Sequence, residues 1–577
     1  MASSRLGRRR VAAGVAALAL LAVLVRFWAL GYRVFHWDEG RVGYWILRYA
    51  ETGQYTYQPI IHGPFLYHVD KYVFAAFGAN DFTARAVVAL VGGLLPLSAW
   101  LFRDHLRDTE VLAFAGFLTL NPVLLYYSRF MRNDVLVGAF SLFALGFFVR
   151  ARASDRNWYW PVGVLFLALA FTTKANALVY IVCWLGAGLL VVDHRLLGGG
   201  DGWVARARER ALEYAGATVD WIDGLLDPER RDGGLGTHAL SGFDALANGP
   251  LGRYLPPFVA LFVEFLVVFA FFFSPRPGLA HTFTSFSGFE AATAGAFHEM
   301  VSLWGGGHAH SYVEFLKLAL ETHVEVALPL TAFAVGGFVY DRYWLGRRDF
   351  VEFCAYWGVF SVVGYPIITD IAAHWSIVHA MIPLAVPAAV GVGWIADRGL
   401  SFLRSGDRIG AAVAVVVLLC VAGFAGATAY DTSFASPQDD ANPLVQYGQP
   451  AGHMQGTLAD VDTAIQGNDG TDVLFYGDHF YSSFGPSNSM SGDFREPQHW
   501  TWRMPLPWYL ERYGAEVDST LDIGNVTEAQ PPVVIALAKH YDEIDPKLSG
   551  YTSVTYRITS SDTPTVIWIR NDTHESA

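Results

Sequence analysis

With 577 residues, 53% of them hydrophobic, 15% aromatic and a mean hydropathy of +0.30, the chain is too apolar for a soluble enzyme. Only 16% of its residues are charged, where soluble domains carry about 25%. Repeated runs of roughly 20 apolar residues make this a polytopic α-helical membrane protein with a net charge of −13, and no nucleic-acid partner is expected.

The first run, VAAGVAALALLAVLVRFWAL (11–30), follows MASSRLGRRR. Such a start could be a signal peptide. The run is longer than a usual signal core and ends without a clear small-x-small cleavage site, so a retained first helix is expected. Arg8, Arg9 and Arg10 would then hold the N-terminus on the cytoplasmic side. Further spans read as 86–102, 111–127, 135–149, 158–173, 177–192, 256–273, 322–340, 350–369, 377–396 and 409–429, about eleven in all. An odd count places everything after Tyr430 outside. The short loops agree, because Arg103/Arg107, Arg150/Arg152/Arg156, Arg342/Arg347/Arg348 and Arg398/Arg404/Arg408 all fall inside. Cys183, Cys354 and Cys420 lie within these spans and read as small apolar residues rather than as a disulfide or metal framework.

Two domains follow: a membrane domain, 1–430, and an acidic extracytoplasmic α/β domain, 431–577. The outer side carries loops at 31–85, 128–134 and 274–321; the inner side carries an insertion at 193–255. Within that insertion, 203–226 has a helical period and an early Arg cluster, fitting either a membrane-surface helix or a solvent-exposed one. The tail holds 21 Asp and Glu against 7 Lys and Arg, a balance of −14, so the acidity belongs to this part. An acidic exposed domain stays well solvated in high salt, and a halophilic source is expected. TDVLFYGDHF (471–480) and PPVVIALAKH (531–540) read as buried strands. MPLPWYLERYG (504–514) reads as a helix, and TSVTYRI (552–558) with PTVIWIRN (564–571) as an antiparallel pair. Asn525-Val-Thr527 and Asn571-Asp-Thr573 are glycosylation sequons on the same side.

Ionisable residues at helix ends on one side of a membrane are costly unless paired or functional. The outer side collects Asp38 and Glu39 in FHWDEG, His62 in IIHGPFLYH, Arg129, Arg132 and Asp134 in YYSRFMRND, Lys174 in FTTKANAL, and His374 and His379 in AAHWSIVHAMIP. Arginine and lysine at an interface suit a phosphate. A carboxylate beside an acceptor hydroxyl can act as general base. Asp38 and Asp134 could also share Mg²⁺ or Mn²⁺. In a membrane the phosphate would belong to a lipid, and these parts describe sugar transfer from a lipid-linked phosphate on the outer face.

Each residue also has a plainer role open to it. Asp38 and Glu39 could cap a helix over 40–51, Arg129 and Arg132 could snorkel at a span end, and Asp134 could pair with one of them. The histidines of FHEMVSLWGGGHAH (297–310) lack a zincin spacing and sit in a Gly-rich loop better suited to covering a substrate than to holding a metal.

The ordered set FHWDEG, HGPFLYH, YYSRFMRND, TTKANAL and HAMIPLAVPA resembles the GT-C superfamily of polyprenyl-phosphate-sugar glycosyltransferases across about 400 residues. Protein O-mannosyltransferases and aminoarabinose transferases belong to that superfamily. The narrower likeness is to archaeal flippase-associated proteins of N-glycosylation. This resemblance implies a GT-C-like membrane fold, a polyprenyl-phosphate-linked sugar as donor, and a glycoprotein or lipid-linked glycan as acceptor. It implies Asp38 as the first-loop acid (base or metal ligand), Glu39 as its usual neighbour, and Asp134 as the second-loop acid. Arg129, Arg132 and Lys174 would face the donor phosphate. His62 stands where relatives carry a basic residue before two prolines; here Gly63-Pro64 follows. The alternative to a transferase is a non-catalytic accessory protein of the same pathway. A transporter fits less well, since no internal repeat is visible and the acids cluster at one surface. An oligosaccharide transferase would carry a WWD-type motif, where the tail has HWTWRM (499–504).

Overall fold

The computed structural model describes residues 7–58, 62–197, 255–302, 310–369, 371–450, 452–482, 498–558 and 563–571. Most of the 193–255 insertion, His308 and part of the second sequon fall outside these residues. The chain begins with α1 (Arg8–Phe27), α2 (Trp37–Thr52), α3 (Phe65–Phe77) and α4 (Asp81–Leu94). There follow α5 (Asp108–Leu120), α6 (Pro122–Tyr127), α7 (Asp134–Arg152), α8 (Tyr159–Thr173) and α9 (Ala177–Leu197). Beyond the insertion come α10 (Leu255–Phe273), α11 (Tyr312–Glu325), α12 (Leu328–Trp344), α13 (Asp349–Ile368), α14 (Val378–Ser405) and α15 (Arg408–Tyr430).

Among the described residues eight helices are long and apolar enough to cross a membrane, or nine if one bent pair counts as a span. Three of the eleven expected spans account for the difference, each for a local reason. The run at 111–127 breaks at Asn121-Pro122, because proline disfavours helix at the residue before it, and the Asn121 side chain caps α6 through Leu124 N at 3.0 Å. The run at 158–173 is a helix of 15 residues. The run at 322–340 straddles α11 and α12, which meet at 95° just before Pro329. The apolar 18-residue window of α14 with its leading turn is 94% buried within the protein, at the centre of the bundle. Close approach there depends on small residues: a Cβ on Gly337 of α12 would lie 2.0 Å from the Pro387 carbonyl oxygen of α14.

The tail forms a five-stranded sheet of β1 (Val473–Tyr476), β2 (Val517–Thr520), β3 (Val533–Leu537), β4 (Tyr551–Arg557) and β5 (Pro564–Arg570). Its order is β2-β1-β3-β5-β4, parallel across β2-β1-β3 and antiparallel thereafter. The expected β4–β5 pair is present. Edge strand β2, the polar VDST, gave no apolar signal in the sequence. Helix α16 (Gln455–Ile465) precedes the sheet, and α17 (Leu506–Tyr513) opens after proline and stops at Gly514, which takes φ 72°.

Helix α17 bolts the tail to the membrane domain. Asp81 at the start of α4 accepts from Trp508 Nε1 (3.0 Å), Tyr509 Oη (2.8 Å) and Arg512 Nη1 (3.0 Å). Phe35 stacks on Trp508 at 4.8 Å. Two glycines of α2 make room, since a Cβ on Gly40 would come within 2.7 Å of Pro505 and one on Gly43 within 2.7 Å of Trp508. Truncating a fully buried tryptophan of this kind costs about 3–5 kcal/mol. The docking therefore fixes α2, which carries the acidic pair.

Candidate active site

The two adjacent acids of α2 take separate environments. The helix opens with a capping box: His36 N–H donates to Glu39 Oε2 (3.0 Å) and Asp38 N–H donates to His36 Nδ1 (3.1 Å). Glu39 is fully buried and accepts from Arg85 Nε (2.7 Å), Arg85 Nη2 (2.8 Å), Arg33 Nη2 (3.1 Å) and Met131 N (2.8 Å). Burial would raise its carboxyl, but Arg85 and Arg33 outweigh that and bring it down to about 2. Glu39 thus joins the start of α2 to α4 and to the 128–134 turn.

Asp38 lies one residue earlier, about 100° round the helix, with 18% of its side chain exposed. Its Oδ2 meets Arg132 Nη1 at 2.9 Å and His36 Nδ1 at 3.8 Å, and its Oδ1 lies 4.0 Å from His62 Nε2. Burial pushes the carboxyl up, yet the Arg132 guanidinium prevails and holds it well below the usual carboxylate range. His36 and His62 are lowered to about 4, chiefly by burial, so both are neutral at pH 7.

Arg132 links this acid to a second one. Its guanidinium lies over Trp375 at 3.9 Å, donates to Gln446 Oε1 at 2.6 Å, and places Nε 3.6 Å from Asp134 Oδ2. Asp134, the first residue of α7, accepts from Lys174 Nζ at 2.5 Å, with His379 Nε2 3.5 Å away. The other His379 nitrogen meets Tyr180 Oη at 2.7 Å.

Lys174 stands in an extended turn between α8 and α9 (φ −156°, ψ 143°) and forms a β-bridge with His62. Gly63 N–H donates to the Thr173 carbonyl at 2.7 Å, and a Cβ on Gly63 would stand 2.2 Å from the Thr172 carbonyl oxygen. That contact gives a physical reason for glycine after His62. Five stretches distant in sequence therefore meet here: Asp38, His62, Arg132 with Asp134, Lys174 and His379.

Arg129 does not join them. Its guanidinium donates to the carbonyls of Arg26 (2.9 Å), Trp28 (2.6 Å) and Ala29 (3.1 Å) at the end of α1, and lies over Phe434 at 4.4 Å. Its charge stands where the helix dipole favours a cation. Nor does the donor set fit Mg²⁺ or Mn²⁺ shared by Asp38 and Asp134. Arg132 faces both acids and Lys174 takes Asp134, and among the described residues no three His, Cys, Asp or Glu converge on one point. Arg33, Arg85, Gln446, Trp375 and Tyr180 escaped the reading of the sequence. Arg85 alone had a signal there, as an arginine at the head of an apolar run with Asp81 four residues before it.

Residues 454–570 match the model of the Agl23 flippase-associated protein C-terminal domain, and 61–198 match that of the dolichyl-phosphate-mannose-protein mannosyltransferases. No curated protein sequence matches the chain. In fold it is similar to ArnT from Cupriavidus metallidurans bound to undecaprenyl phosphate: 17% identity, TM-score 0.52, 97% of this chain and 98% of that one. The apo state of the same protein gives 16%, 0.52, 96% and 97%. The Archaeoglobus fulgidus oligosaccharyltransferase with zinc and sulfate is more distant: 14%, 0.43, 94% and 71%. The two family matches and the ArnT-like fold agree with the resemblance read from the ordered motifs. The chain is a multi-pass membrane protein whose fold is similar to that of ArnT and whose residues 454–570 match the Agl23-type C-terminal domain.

Proposed function

We propose that this protein transfers a sugar from a polyprenyl-phosphate donor to a glycoprotein or lipid-linked glycan acceptor on the outer membrane face, with the N-terminus cytoplasmic and the sheet domain outside. The observation that carries the reading is the Asp38–Arg132–Asp134–Lys174 cluster, in which Asp38 is partly exposed and both cations are buried. The fold shared with a protein crystallised on undecaprenyl phosphate supports the same class of donor.

In this reading Asp38 takes the proton of the acceptor hydroxyl as a new bond forms to the sugar's anomeric carbon. The bond from that carbon to the phosphate oxygen breaks on the opposite side, with inversion. Polyprenyl phosphate leaves with the electron pair, its charge held by Arg132 and Lys174. Each cation is already paired with a carboxylate, so the donor phosphate must compete for them. Drawing Arg132 from Asp38 removes an interaction of roughly 4 kcal/mol at an effective dielectric of about 20. That strengthens Asp38 as a base by a factor of about a thousand. Donor binding thus prepares the base, and the resting pair keeps Asp38 ionised and weakly basic. Glu39 and Arg129 serve the frame around the site.

The test is mass spectrometry of lipid-linked and protein-linked glycans from a deletion strain complemented with wild type or Asp38→Asn. Loss of one defined sugar with a folded, membrane-localised variant supports transfer, and the missing mass names the sugar. Full restoration by Asp38→Asn would overturn it in favour of the accessory role.

A further inference from the structure

A cavity lies away from the charged cluster, between α2 and the tail domain. It has a volume of about 370 Å³, inside the range of small-molecule sites, roughly 300–1,000 Å³. Its walls include Tyr44 from α2 and Tyr481, Trp500, Glu511, Asp518 and Ser519 from the tail. Trp500 packs edge-on to Tyr44 at 4.9 Å. Ser519 Oγ donates to the Ser482 carbonyl at 3.0 Å, tying β2 to the wall beside Tyr481.

We propose that this cavity is a carbohydrate subsite taking a neutral sugar ring of the acceptor glycan. The acceptor assignment rests on the transferase reading; sugar binding itself does not. A pyranose has apolar C–H faces and a rim of hydroxyls, so it needs aromatic walls with hydrogen-bond acceptors at their edge. Tyr481, 37% exposed, supplies the open aromatic face, the buried Tyr44 and Trp500 form the floor behind it, and Asp518, Glu511 and Ser519 supply the edge.

The charge selects the class of sugar. Asp518 is exposed, and Glu511 keeps a carboxylate there although one oxygen meets Arg48 at 3.0 Å. Among the described residues the one lining cation, Arg503, is turned inward: its Nε donates to the Phe480 carbonyl at 2.9 Å and its guanidinium lies over Phe475 at 4.4 Å. Two acids against a committed arginine favour a neutral hexose over a uronic acid. The position also fits an acceptor. Tyr44 is six residues beyond Asp38 on α2, ~9 Å along the axis, and Trp37 Nε1 donates to the Thr501 carbonyl at 2.9 Å, joining both places through one helix turn.

Saturation-transfer-difference NMR on the full-length protein in nanodiscs tests this, with methyl α-D-mannoside, methyl β-D-glucoside and methyl β-D-glucuronide as probes. Wild type should transfer saturation to a neutral glycoside and at least about fivefold less to the glucuronide, the worth of one hydrogen bond. Tyr481→Ala and Asp518→Asn, both at exposed positions, should each lose about fivefold in affinity at an unchanged melting midpoint. Asp38→Asn should bind as wild type does. The proposal is overturned if no neutral glycoside binds, if the glucuronide binds equally, if both tail variants bind normally, or if Asp38→Asn abolishes binding. Binding at the cavity together with a full glycan profile for Asp38→Asn would refute the transferase reading and leave the sugar site standing.

Discussion

Replacing the two neighbouring acids one at a time should produce opposite failures. Glu39 accepts five hydrogen bonds, two from Arg85, one from Arg33 and two from the backbone amides of His36 and Met131. Glu39→Gln keeps the shape but leaves two buried guanidinium groups without the counter-charge they share, held by the Arg129, Leu30 and Arg33 carbonyls and the rings of Phe130 and Phe35. Removing one partner of a buried pair costs about 3–5 kcal/mol, against a total stability of about 5–15 kcal/mol for a folded domain. Asp38→Asn removes a charge that is partly exposed, and Arg132 keeps Gln446 and the Trp375 face. Its cost is ~2 kcal/mol, that of one hydrogen bond to a charged group. Thermal melting of detergent-solubilised protein followed by tryptophan fluorescence, paired with glycan mass spectrometry, separates the two. Glu39→Gln should melt many degrees lower, with glycan loss in proportion to folded protein. Asp38→Asn should melt near wild type and lose the glycan outright. A normally melting Glu39→Gln that abolishes transfer, or an Asp38→Asn that melts lower than Glu39→Gln, would refute the division of roles.

Arg132→Gln should cut transfer by about 100-fold or more, the effect of removing one donor aimed at developing charge. Arg132→Lys should recover little in the same kinetic assay, because lysine cannot bridge Asp38 and Gln446 while lying flat on Trp375. Gly63→Ala should lower the yield of folded protein in size-exclusion chromatography, since its Cβ would stand 2.2 Å from the Thr172 carbonyl oxygen; a normal elution profile would refute the need for that contact. His36, His62 and His68 are all lowered to about 4 by burial. The unfolded chain therefore binds their protons first, and stability present above pH 6.5 is lost as pH falls towards 4, by on the order of 3 kcal/mol for each. A melting midpoint flat across that interval would contradict their burial.

Much of the architecture was legible because membrane burial imposes a coarse signal. Apolar runs of about 20 residues marked the spans, and the tail's VLFY, VVIAL and VIWI marked strands of its sheet. What the runs could not show was their interruption. Asn121-Pro122 and Leu328-Pro329 each sit inside apolar sequence, and hydropathy averages over a break. The polar edge strand β2 was illegible for the opposite reason, having too little apolar surface to stand out.

At the site, the sequence brought forward stretches that meet in the fold but could not sort the residues within them. Asp38 and Glu39 are chemically near-equivalent in a one-dimensional reading. Their fates separate because consecutive helix positions diverge by about 100°, and because Arg33 and Arg85 wait on one side and Arg132 on the other. Arg129 and Arg132 divide in the same way, one turned to the carbonyl end of α1 and the other to the acids. Gln446 reaches Arg132 from a loop of the tail that carries no motif at all. That contact has a consequence for how the two halves of the chain cooperate. The tail touches the charged cluster through Gln446, fixes α2 through the Asp81–Trp508–Tyr509–Arg512 bolt, and backs the helix through Pro505. Loosening the bolt, for example by Asp81→Ala, should therefore shift both the Asp38–Arg132 pair and the cavity beside Tyr44, because a single helix carries one end of each.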